Sequence, residues 1–354
     1  MNFDIKEILL VPHSSLLESR IFDCKKQPYD TTYPWKVLRD RFRSLGFDVK
    51  TIDQSKDIRS AYAIIFFEMP RNNNQSYLYC LKNGLQNKMY LLAMEPSAVH
   101  PPNHDPKAHS HFRRVLTWDD ELVDNKKYFK INFSIPIHFE EKIIIPRTAF
   151  NTKKLLCMVS SNKYSSHPRE LYSERIRAIR FMEQNHSKEF DLYGVGWDYP
   201  VMHNGFANDT LINAAILKFW PKLPRIFRLK QFSSYRGTIK SKGDYLPKYK
   251  FAICYENEIG ARGYISEKIL DSLRYGCVPV YLGDPNICDR IPKDCFIDKR
   301  DYSTYESLYE RIACIGEEEH KTYLNKIERF LNSEKIYPFT IDAFINSFEK
   351  LLDV

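Results

Sequence analysis

The stretch YKFAICYENEIGARGYISEKILDSLRYGCVPVYLG, residues 249–283, decides the fold of this chain. Residues 252–255 are apolar, as expected of a buried strand. Ser266 begins a segment whose apolar side chains recur on one helical face, and Gly276 ends it. Residues 278–282 are again a short apolar run. We therefore predict a strand, a polar loop, a helix and a second strand, which is the repeating unit of a parallel α/β sheet.

The polar loop of this unit is a candidate ligand site. A loop at the carboxyl end of a strand that leads into a helix N-terminus is where open α/β sheets hold phosphorylated ligands. Lys268 adds a positive charge in the first helical turn. The side chains that could hold ribose or sugar hydroxyls are Glu256, Asn257, Tyr264 and Glu267. Geometry alone is equally compatible with an ordinary strand–loop–helix unit that carries a solvated, charged loop.

The composition is typical of a globular protein with two domains. The chain has 354 residues, of which 43% are hydrophobic, and two domains are expected at this length. No run approaches the roughly 20 apolar residues that span a membrane, and the first residues lack the basic and apolar blocks of a secretory signal. The eight cysteines show neither a Cys-x-x-Cys pair nor a zinc-binding spacing, so we interpret them as reduced thiols. The net charge of +8 is scattered, which is typical of a solvated surface.

Strand-like and helix-like segments alternate along both halves of the chain. A charged segment with two prolines, residues 136–147, separates the halves. Beyond residue 301 the pattern is mostly helical. We therefore predict an α/β protein with a Rossmann-like domain at 1–145, a second Rossmann-like domain at 146–335, and a final helix within 336–354.

Four short motifs within residues 249–283 carry a family resemblance. They are Tyr249-Lys250-Phe251, Tyr255-Glu256-Asn257, Tyr264-Ile265-Ser266-Glu267-Lys268 and Val278-Pro279-Val280. Together they resemble the donor-binding signature of the α-1,3-fucosyltransferases, glycosyltransferase family 10. That signature reads approximately Tyr-Lys-Phe, Phe-Glu-Asn, Tyr-Val-Thr-Glu-Lys and Val-Pro-Val. Tyr255 stands for phenylalanine and Ser266 for threonine, and the loop at residues 258–263 differs in detail; these departures are conservative at the polar anchor positions.

The resemblance implies a GT-B fold, in which two Rossmann-like domains face each other across a cleft. It implies that domain 1–145 binds the acceptor, that domain 146–335 binds GDP-fucose, and that residues 336–354 pack back on the N-terminal domain. The implied reaction is an inverting transfer of L-fucose from GDP-fucose to a glycan hydroxyl in an α-1,3 linkage, without a metal or other cofactor. The similarity is dense only over residues 236–300, so it supports the donor better than the acceptor.

Glu95 is the candidate catalytic base. Residues 89–94 form an apolar strand that ends at Glu95-Pro96-Ser97, where proline stops the strand. Glycosyl transfer with inversion needs a base within hydrogen-bond reach of the acceptor hydroxyl. Family 10 enzymes carry a Glu-Ser-Pro or similar motif at this place, and the resemblance implies that Glu95 has the same role. From the residues alone, the alternative is a solvent-exposed turn glutamate.

A loop with four histidines follows this motif, in residues 97–114. These histidines are His100, His104, His109 and His111. A metal site is one interpretation. The spacing of the last two histidines and the pair Pro101-Pro102 indicate an irregular loop, which favours contact with the acceptor over metal ligation.

The resemblance also assigns residues to the pyrophosphate of the donor. Negative charge accumulates there as the glycosidic bond breaks, so the site requires cations. Lys268 and the helix N-terminus at Ser266 fit that requirement. The family places an arginine near the first helix of the donor domain, and both Arg169 and Arg175 fit that position.

Other residues are assigned to the rest of the donor. By resemblance, Glu256, Asn257, Tyr264 and Glu267 hold the ribose and fucose hydroxyls. Further matches to the family are the Tyr-Gly element at Tyr193 and Gly194, and Lys240 in the segment before the Tyr-Lys-Phe motif. By itself, a Gly-x-Gly sequence at this turn is weak evidence for nucleotide binding.

Two other functions remain open at this point. A related GT-B transferase that uses another nucleotide sugar would share these features. A basic, non-catalytic protein that binds RNA or an acidic glycan would need clustered cations with aromatic residues on one face. Such a binder gives no reason for the Glu95 motif and the 264–268 motif to occur together. We expect GDP-fucose and a glycan acceptor as partners and no nucleic acid. We expect a cytoplasmic enzyme of bacterial or viral type, or one in peripheral contact with the inner membrane face.

Overall fold

The computed structural model describes residues 6–25, 29–198, 202–203 and 231–354. The chain divides into two compact units. The first comprises Met1–Glu141, Arg262–Tyr264 and Ile336–Val354, and the second comprises Lys142–Ala261 and Ile265–Lys335. The junction therefore lies four residues before the position proposed from the sequence pattern. That pattern did not assign residues 262–264 to the first unit.

A six-stranded parallel sheet forms the centre of the first unit. Its strands are β1 Lys6–Val11, β2 Phe47–Thr51, β3 Ala63–Phe67, β4 Met89–Ala93, β5 Arg114–Thr117 and β6 Tyr128–Lys130. They are arranged in the order β2-β1-β3-β4-β5-β6. In the register, Ile65 lies between Leu10 and Tyr90. Every residue of β4 is buried, as expected of a central parallel strand covered on both faces.

Helices cover the two faces of this sheet. Helix α1, Tyr29–Ser44, packs Leu38 and Phe42 into one core, and helix α2, Gln75–Lys82, packs Tyr77 and Cys80 into the other. The Asn74 side chain accepts a hydrogen bond from Tyr77 N at 2.9 Å and so caps α2. Helix α2 was not predicted from the sequence, because only these two buried side chains form its apolar face and the periodic pattern is therefore short.

The second unit contains its own parallel sheet. The strands of this unit are β7 Lys154–Val159, β8 Lys163–Tyr164, β9 Phe190–Tyr193, β10 Met202–His203, β11 Tyr249–Tyr255, β12 Val278–Leu282 and β13 Ile297–Asp298. Five of them form a sheet in the order β13-β12-β11-β7-β9, and β8 pairs with β10. In the register, Phe251 lies between Leu156 and Val278. The predicted α/β class with two parallel sheets is confirmed.

Among its described residues, the second unit contains the helices α3 Tyr172–Asn185, α4 Glu267–Arg274, α5 Tyr305–Cys314 and α6 Glu317–Leu331. Helix α4 joins β11 to β12, as the opening motif predicted. Its residues Ile269, Leu270 and Leu273 are fully buried, which accounts for its short apolar face. Within the described residues, the helices are all too short or too polar to cross a membrane.

The last helix, α7 Ile341–Leu352, belongs to the first unit. Thr340 caps it by accepting a hydrogen bond from Ala343 N at 3.3 Å. Phe344 and Phe348 enter the core beside α1, where the ring of Trp35 meets them edge-on at centroid distances of 5.1 and 5.6 Å. These contacts explain why residues 336–354 group with the N-terminal half.

Candidate active site

A buried carboxylate organises the loop between β11 and α4. Glu256 follows β11 directly, and its side chain is 0% exposed. Its oxygens accept hydrogen bonds from Ser266 N at 2.8 Å and Ser266 Oγ at 2.6 Å, and the Lys268 Nζ atom lies 3.4 Å away. Burial raises the pKa of Glu256, whereas Lys268 and Ser266 oppose this rise.

This geometry changes the role expected of Glu256 and Ser266. Glu256 was predicted to hold donor hydroxyls, and Ser266 to mark the helix N-terminus near the pyrophosphate; in the structure both side chains are buried and bind each other. A carboxylate enclosed in this way cannot also hold a sugar hydroxyl without breaking its own hydrogen bonds. In the structure, Glu256 and Ser266 instead hold the Lys268 ammonium group, since Ser266 Oγ lies 3.0 Å from Lys268 Nζ.

The N-terminus of α4 gathers alternating charges. Lys268 and Glu267 occupy its first turn, and about half of the Glu267 side chain is exposed. Lys242, from outside the helix, lies 2.6 Å from Asp271 Oδ2 and 3.9 Å from Glu267 Oε1. Although partial burial opposes ionisation, Lys268 and Lys242 lower the pKa of Glu267 to about 2. Burial lowers the pKa of Lys242, but Asp271 and Glu267 outweigh it and raise that pKa.

Lys242 is the cation that sequence reasoning missed. The prediction was Lys240, which is exposed. Lys242 lies two residues further along and forms the ion pair with Asp271 on α4. Several lysines lie between residues 240 and 250, and no local pattern distinguishes the one that reaches α4.

Two arginines contact the loop after β11 in different ways. Arg175, on α3, is 3% exposed, and its Nη2 donates to Tyr255 O at 2.7 Å, Glu256 O at 2.6 Å and Asn257 Oδ1 at 3.0 Å. Arg169 has a side chain that is 52% exposed, and its Nη2 lies 2.5 Å from Glu258 Oε1. Arg175 therefore supports the loop from within, whereas Arg169 is accessible to a ligand.

The Tyr-Gly element follows β9. The Tyr193 hydroxyl lies 2.9 Å from the Tyr249 hydroxyl, which donates to Asp191 Oδ2 at 2.7 Å. Gly194 has a φ of +131°, and a Cβ atom there would overlap the carbonyl oxygen of Ser160, the residue after β7. Glycine is required because only its missing side chain lets these two strand ends meet.

Tyr264 lies in a different environment from the one predicted. It was expected to hold donor hydroxyls, but residues 262–264 belong to the first unit. The Tyr264 ring is 2% exposed and packs on Trp118 and Phe133 at centroid distances of 4.9 and 5.8 Å. Gly263 has a φ of +88°, and a Cβ atom there would overlap the carbonyl oxygen of Trp118. Close packing on Trp118 therefore decides the position of Tyr264.

Glu95 lies in the first unit, just beyond the carboxyl end of β4, and its side chain is partly exposed. Side chains from other elements hold its backbone. Glu95 N donates to Glu68 Oε2 at 3.1 Å, and Glu95 O accepts from Asn103 Nδ2 at 3.0 Å. The preceding carbonyl, Met94 O, accepts from Trp118 Nε1 at 2.8 Å. Sequence reasoning did not single out Glu68 or Asn103.

The histidines after Glu95 are part of the packing of the first unit. Two short 3₁₀ helices, Pro101–His104 and Ala108–His111, replace the irregular loop that was expected. His109 is buried with Nδ1 3.2 Å from the Tyr128 hydroxyl, and burial lowers the pKa of His109 to about 4. Among the described residues, no group of three or more His, Cys, Asp or Glu side chains is arranged to hold a metal ion.

Comparison with known proteins supports the family resemblance. Residues 226–332 match the sequence model of the C-terminal domain of glycosyltransferase family 10 (fucosyltransferase). The α-(1,3)-fucosyltransferase FucT of Helicobacter pylori is 31% identical over 74 residues, which cover 21% of this chain and 15% of that protein. The GDP-fucose protein O-fucosyltransferase 3 of Gallus gallus is 30% identical over 123 residues, which cover 29% of this chain and 25% of that protein. The matches thus span a quarter or less of these relatives.

Solved structures share the fold. A crystal structure of an α1,3-fucosyltransferase has a TM-score of 0.51 at 12% identity, with 100% of this chain and 92% of that chain covered. The β-glucosyltransferase of phage T4 has a TM-score of 0.53 at 12% identity, with 98% of this chain and 100% of that chain covered. At such low identity these similarities show the fold alone. The chain has two parallel α/β domains like those of GT-B enzymes, and the resemblance to the fucosyltransferases of family 10 is confirmed for residues 226–332.

Proposed function

We propose that this chain is an inverting fucosyltransferase, which transfers L-fucose from GDP-fucose to a hydroxyl of a glycan acceptor in an α-1,3 linkage. The observation that carries the proposal is the α4 N-terminus. There Lys268 and Lys242 accompany the first helical turn, in the same segment that matches the fucosyltransferase family. A helix N-terminus with adjacent ammonium groups suits the pyrophosphate of a nucleotide sugar.

The residues divide between two tasks in this proposal. In the second unit, Lys268, Lys242 and the exposed Arg169 stabilise the charge that develops on GDP as the glycosidic bond breaks. Glu256, Ser266 and Arg175 hold the loop that leads into the helix turn of Lys268. Asn257, Glu267, Tyr193, Gly194 and Lys240 remain proposed donor contacts, and Tyr264 contributes through its packing.

Glu95 supplies the base. Its carboxylate takes the proton of the acceptor hydroxyl, and the oxygen forms a bond to C1 of fucose. The bond between C1 and the β-phosphate oxygen breaks, and GDP leaves with the electron pair. Attack opposite to the leaving group inverts the configuration at C1. The partly exposed side chain of Glu95 at a strand end suits this task.

A nucleotide screen tests the donor assignment. GDP should raise the melting temperature, and UDP, CDP and a short RNA should raise it less, because a guanine pocket discriminates between bases. Lys268→Ala should weaken GDP binding by about 10- to 100-fold, since a charge-assisted hydrogen bond contributes about 1.5–3 kcal/mol. Lys326→Ala is the matched control, because Lys326 is a surface lysine of the same unit in an ion pair with Asp294 at 3.1 Å. Equal stabilisation by UDP and GDP would indicate a related transferase with another nucleotide sugar.

A transfer assay tests the base. Glu95→Gln keeps the size of the side chain and removes its proton-accepting carboxylate, so transfer of labelled fucose should fall by about 100-fold or more. GDP affinity should stay unchanged. Glu121→Gln is the control, because Glu121 is an exposed carboxylate of the same unit. Near-normal transfer by Glu95→Gln would exclude Glu95 as the base.

The proposal includes a peripheral contact with a membrane. The net charge of +8 favours contact with an anionic membrane surface. Co-sedimentation with vesicles that contain anionic lipid, compared with neutral vesicles, measures this association. Equal binding to both kinds of vesicle would exclude an electrostatic contact.

A further inference from the structure

Glu68 occupies an unusual position beside the proposed base. It follows β3, which is the neighbour of β4 in the sheet, and its N–H donates to Leu92 O at 2.9 Å. Its φ of 61° lies in the left-handed region, which glutamate rarely adopts. A residue held in such a conformation needs compensating contacts.

Those contacts converge on the peptide groups around Glu95. The Glu68 carboxylate accepts from Met94 N at 3.2 Å and from Glu95 N at 3.1 Å. It also accepts from Asn103 Nδ2. Asn103 is 1% exposed; its Nδ2 donates to Glu95 O at 3.0 Å and its Oδ1 accepts from Met69 N at 2.7 Å. Glu68 and Asn103 thus bind the amide and the carbonyl of the same residue, Glu95.

We propose that Glu68 is a positioning residue for Glu95, which it holds together with Asn103 in the orientation that proton abstraction requires. The inference rests on the proposed function, in which Glu95 is the base. A base must be held within a narrow range of distance and angle from the hydroxyl that it deprotonates, and a displacement of 1 Å can reduce the rate by about 100-fold. Fixing both the N–H and the C=O of Glu95 sets the direction of its Cα–Cβ bond.

A carboxylate is suited to this position although it lies near a second one. Three N–H donors, from Met94, Glu95 and Asn103, lie within hydrogen-bond distance of one carboxyl oxygen, Oε2, and the other oxygen, Oε1, lies 3.3 Å from Met94 N. The other titratable groups around Glu95 are His104, whose Nε2 lies 3.2 Å from Glu95 O, and Asp119, which lies 3.6 Å from His104 Nδ1. Burial and the neighbouring Glu95 raise the pKa of Glu68 to about 8. The charged form of Glu68 is therefore disfavoured near neutral pH, although its three N–H donors favour it.

Steady-state kinetics of Glu68→Gln, Glu68→Asp, Glu95→Gln and the double variant Glu68→Gln/Glu95→Gln test the inference. Glu68→Gln leaves a single, uncharged acceptor oxygen for the three donors and places its NH₂ group near Met94 N, so we expect kcat to fall by about 10- to 100-fold, while GDP affinity stays unchanged. Glu68→Asp restores the carboxylate and should recover part of kcat. The double variant should be no slower than Glu95→Gln alone, because Glu68 then has no base to position.

The matched control is Glu7→Gln. Glu7 is also a hydrogen-bonded carboxylate of the first unit, with Lys50 Nζ at 2.7 Å and Ser55 Oγ at 2.8 Å, but it lies near the amino end of β1, at the other edge of the parallel strands. Loss of this partly exposed polar network should lower stability without a change in kcat. If Glu68→Gln behaves like Glu7→Gln, or if its effect adds fully to that of Glu95→Gln, the inference is overturned.

Hydrogen exchange separates this inference from the proposed function. Glu68→Gln should expose the Glu95 amide, and its exchange should become faster, whereas Glu7→Gln should leave it protected. This measurement needs no substrate, so unchanged protection would overturn the inference even if the wild-type protein transfers fucose. Faster exchange in a protein that neither binds GDP nor transfers fucose would support the geometry and reject the proposed function.

Discussion

Replacing Arg175 by lysine separates a structural arginine from one that binds phosphate. The substitution keeps the positive charge but removes the planar fork of donors. In the structure, Arg175 Nη2 alone serves Tyr255 O, Glu256 O and Asn257 Oδ1 at 2.6–3.0 Å. A lysine ammonium group lies on a differently shaped stem and can retain part of this set only.

The contacts set the expected magnitude. A hydrogen bond to a charged group contributes about 1.5–3 kcal/mol, and a buried acceptor left unpaired costs about 1–3 kcal/mol. If lysine retains one of the three contacts, the second unit should lose about 2–4 kcal/mol of unfolding free energy. For a domain of about 150–250 residues, this corresponds to a fall in melting temperature of about 4–16 °C.

The assay is a thermal melt with and without GDP, followed by titration with GDP. Arg177→Lys is the matched control, because Arg177 is on the same helix, 70% exposed, and pairs with Glu174 at 2.9 Å. Its melting temperature should stay within about 1–2 °C of the wild type. Arg169→Ala tests the other candidate and should weaken GDP binding with little change in melting temperature, because its guanidinium is accessible.

One result would refute this reasoning. If Arg175→Lys melts like the wild type but binds GDP at least about tenfold more weakly, Arg175 contacts the pyrophosphate and does not serve chiefly to support the loop. Wild-type GDP affinity in Arg169→Ala would then remove Arg169 from the donor site.

Three further outcomes are expected. Gly194→Ala should lower the melting temperature and GDP affinity together, because its Cβ would overlap the Ser160 carbonyl; a normal melt would contradict the close approach of the two strand ends. Burial, and to a lesser extent Lys153, lower the pKa of His320 to about 4. The stability that depends on neutral His320 should therefore be full above about pH 6.5 and fall by roughly 2–4 kcal/mol as the pH drops towards 4. His320→Gln should reduce this fall, measured by melts at pH 7 and pH 5. Because the pKa of Glu68 is raised, the stability that this group contributes is full below about pH 4.5 and is lost as the pH rises through about 8. Glu68→Gln should therefore make the melting temperature less dependent on pH over that range. An unchanged dependence on pH would contradict the raised pKa.

Much of the fold follows from local sequence patterns. Alternating apolar runs and amphipathic segments predicted both parallel sheets, and the bounds of α4 and β12 were predicted to within a residue, whereas β11 begins three residues before the predicted strand. These features could be predicted because strand and helix periodicity is a property of neighbouring residues. The position of Glu95 at the end of β4 is local in the same sense, since an apolar run stops at a proline.

The tertiary structure decided which polar groups meet. Glu68 and Glu95 are 27 residues apart, and they come together only because β3 and β4 are neighbours in the sheet. Tyr264 lies within the donor motif of the sequence but packs on Trp118 of the first unit. Glu256 was expected to bind a sugar, but in the structure it is buried and accepts hydrogen bonds from Ser266. Periodicity specifies which face of a helix or strand is apolar. Strand order and packing specify which polar side chains come into contact, and both depend on contacts between distant parts of the chain.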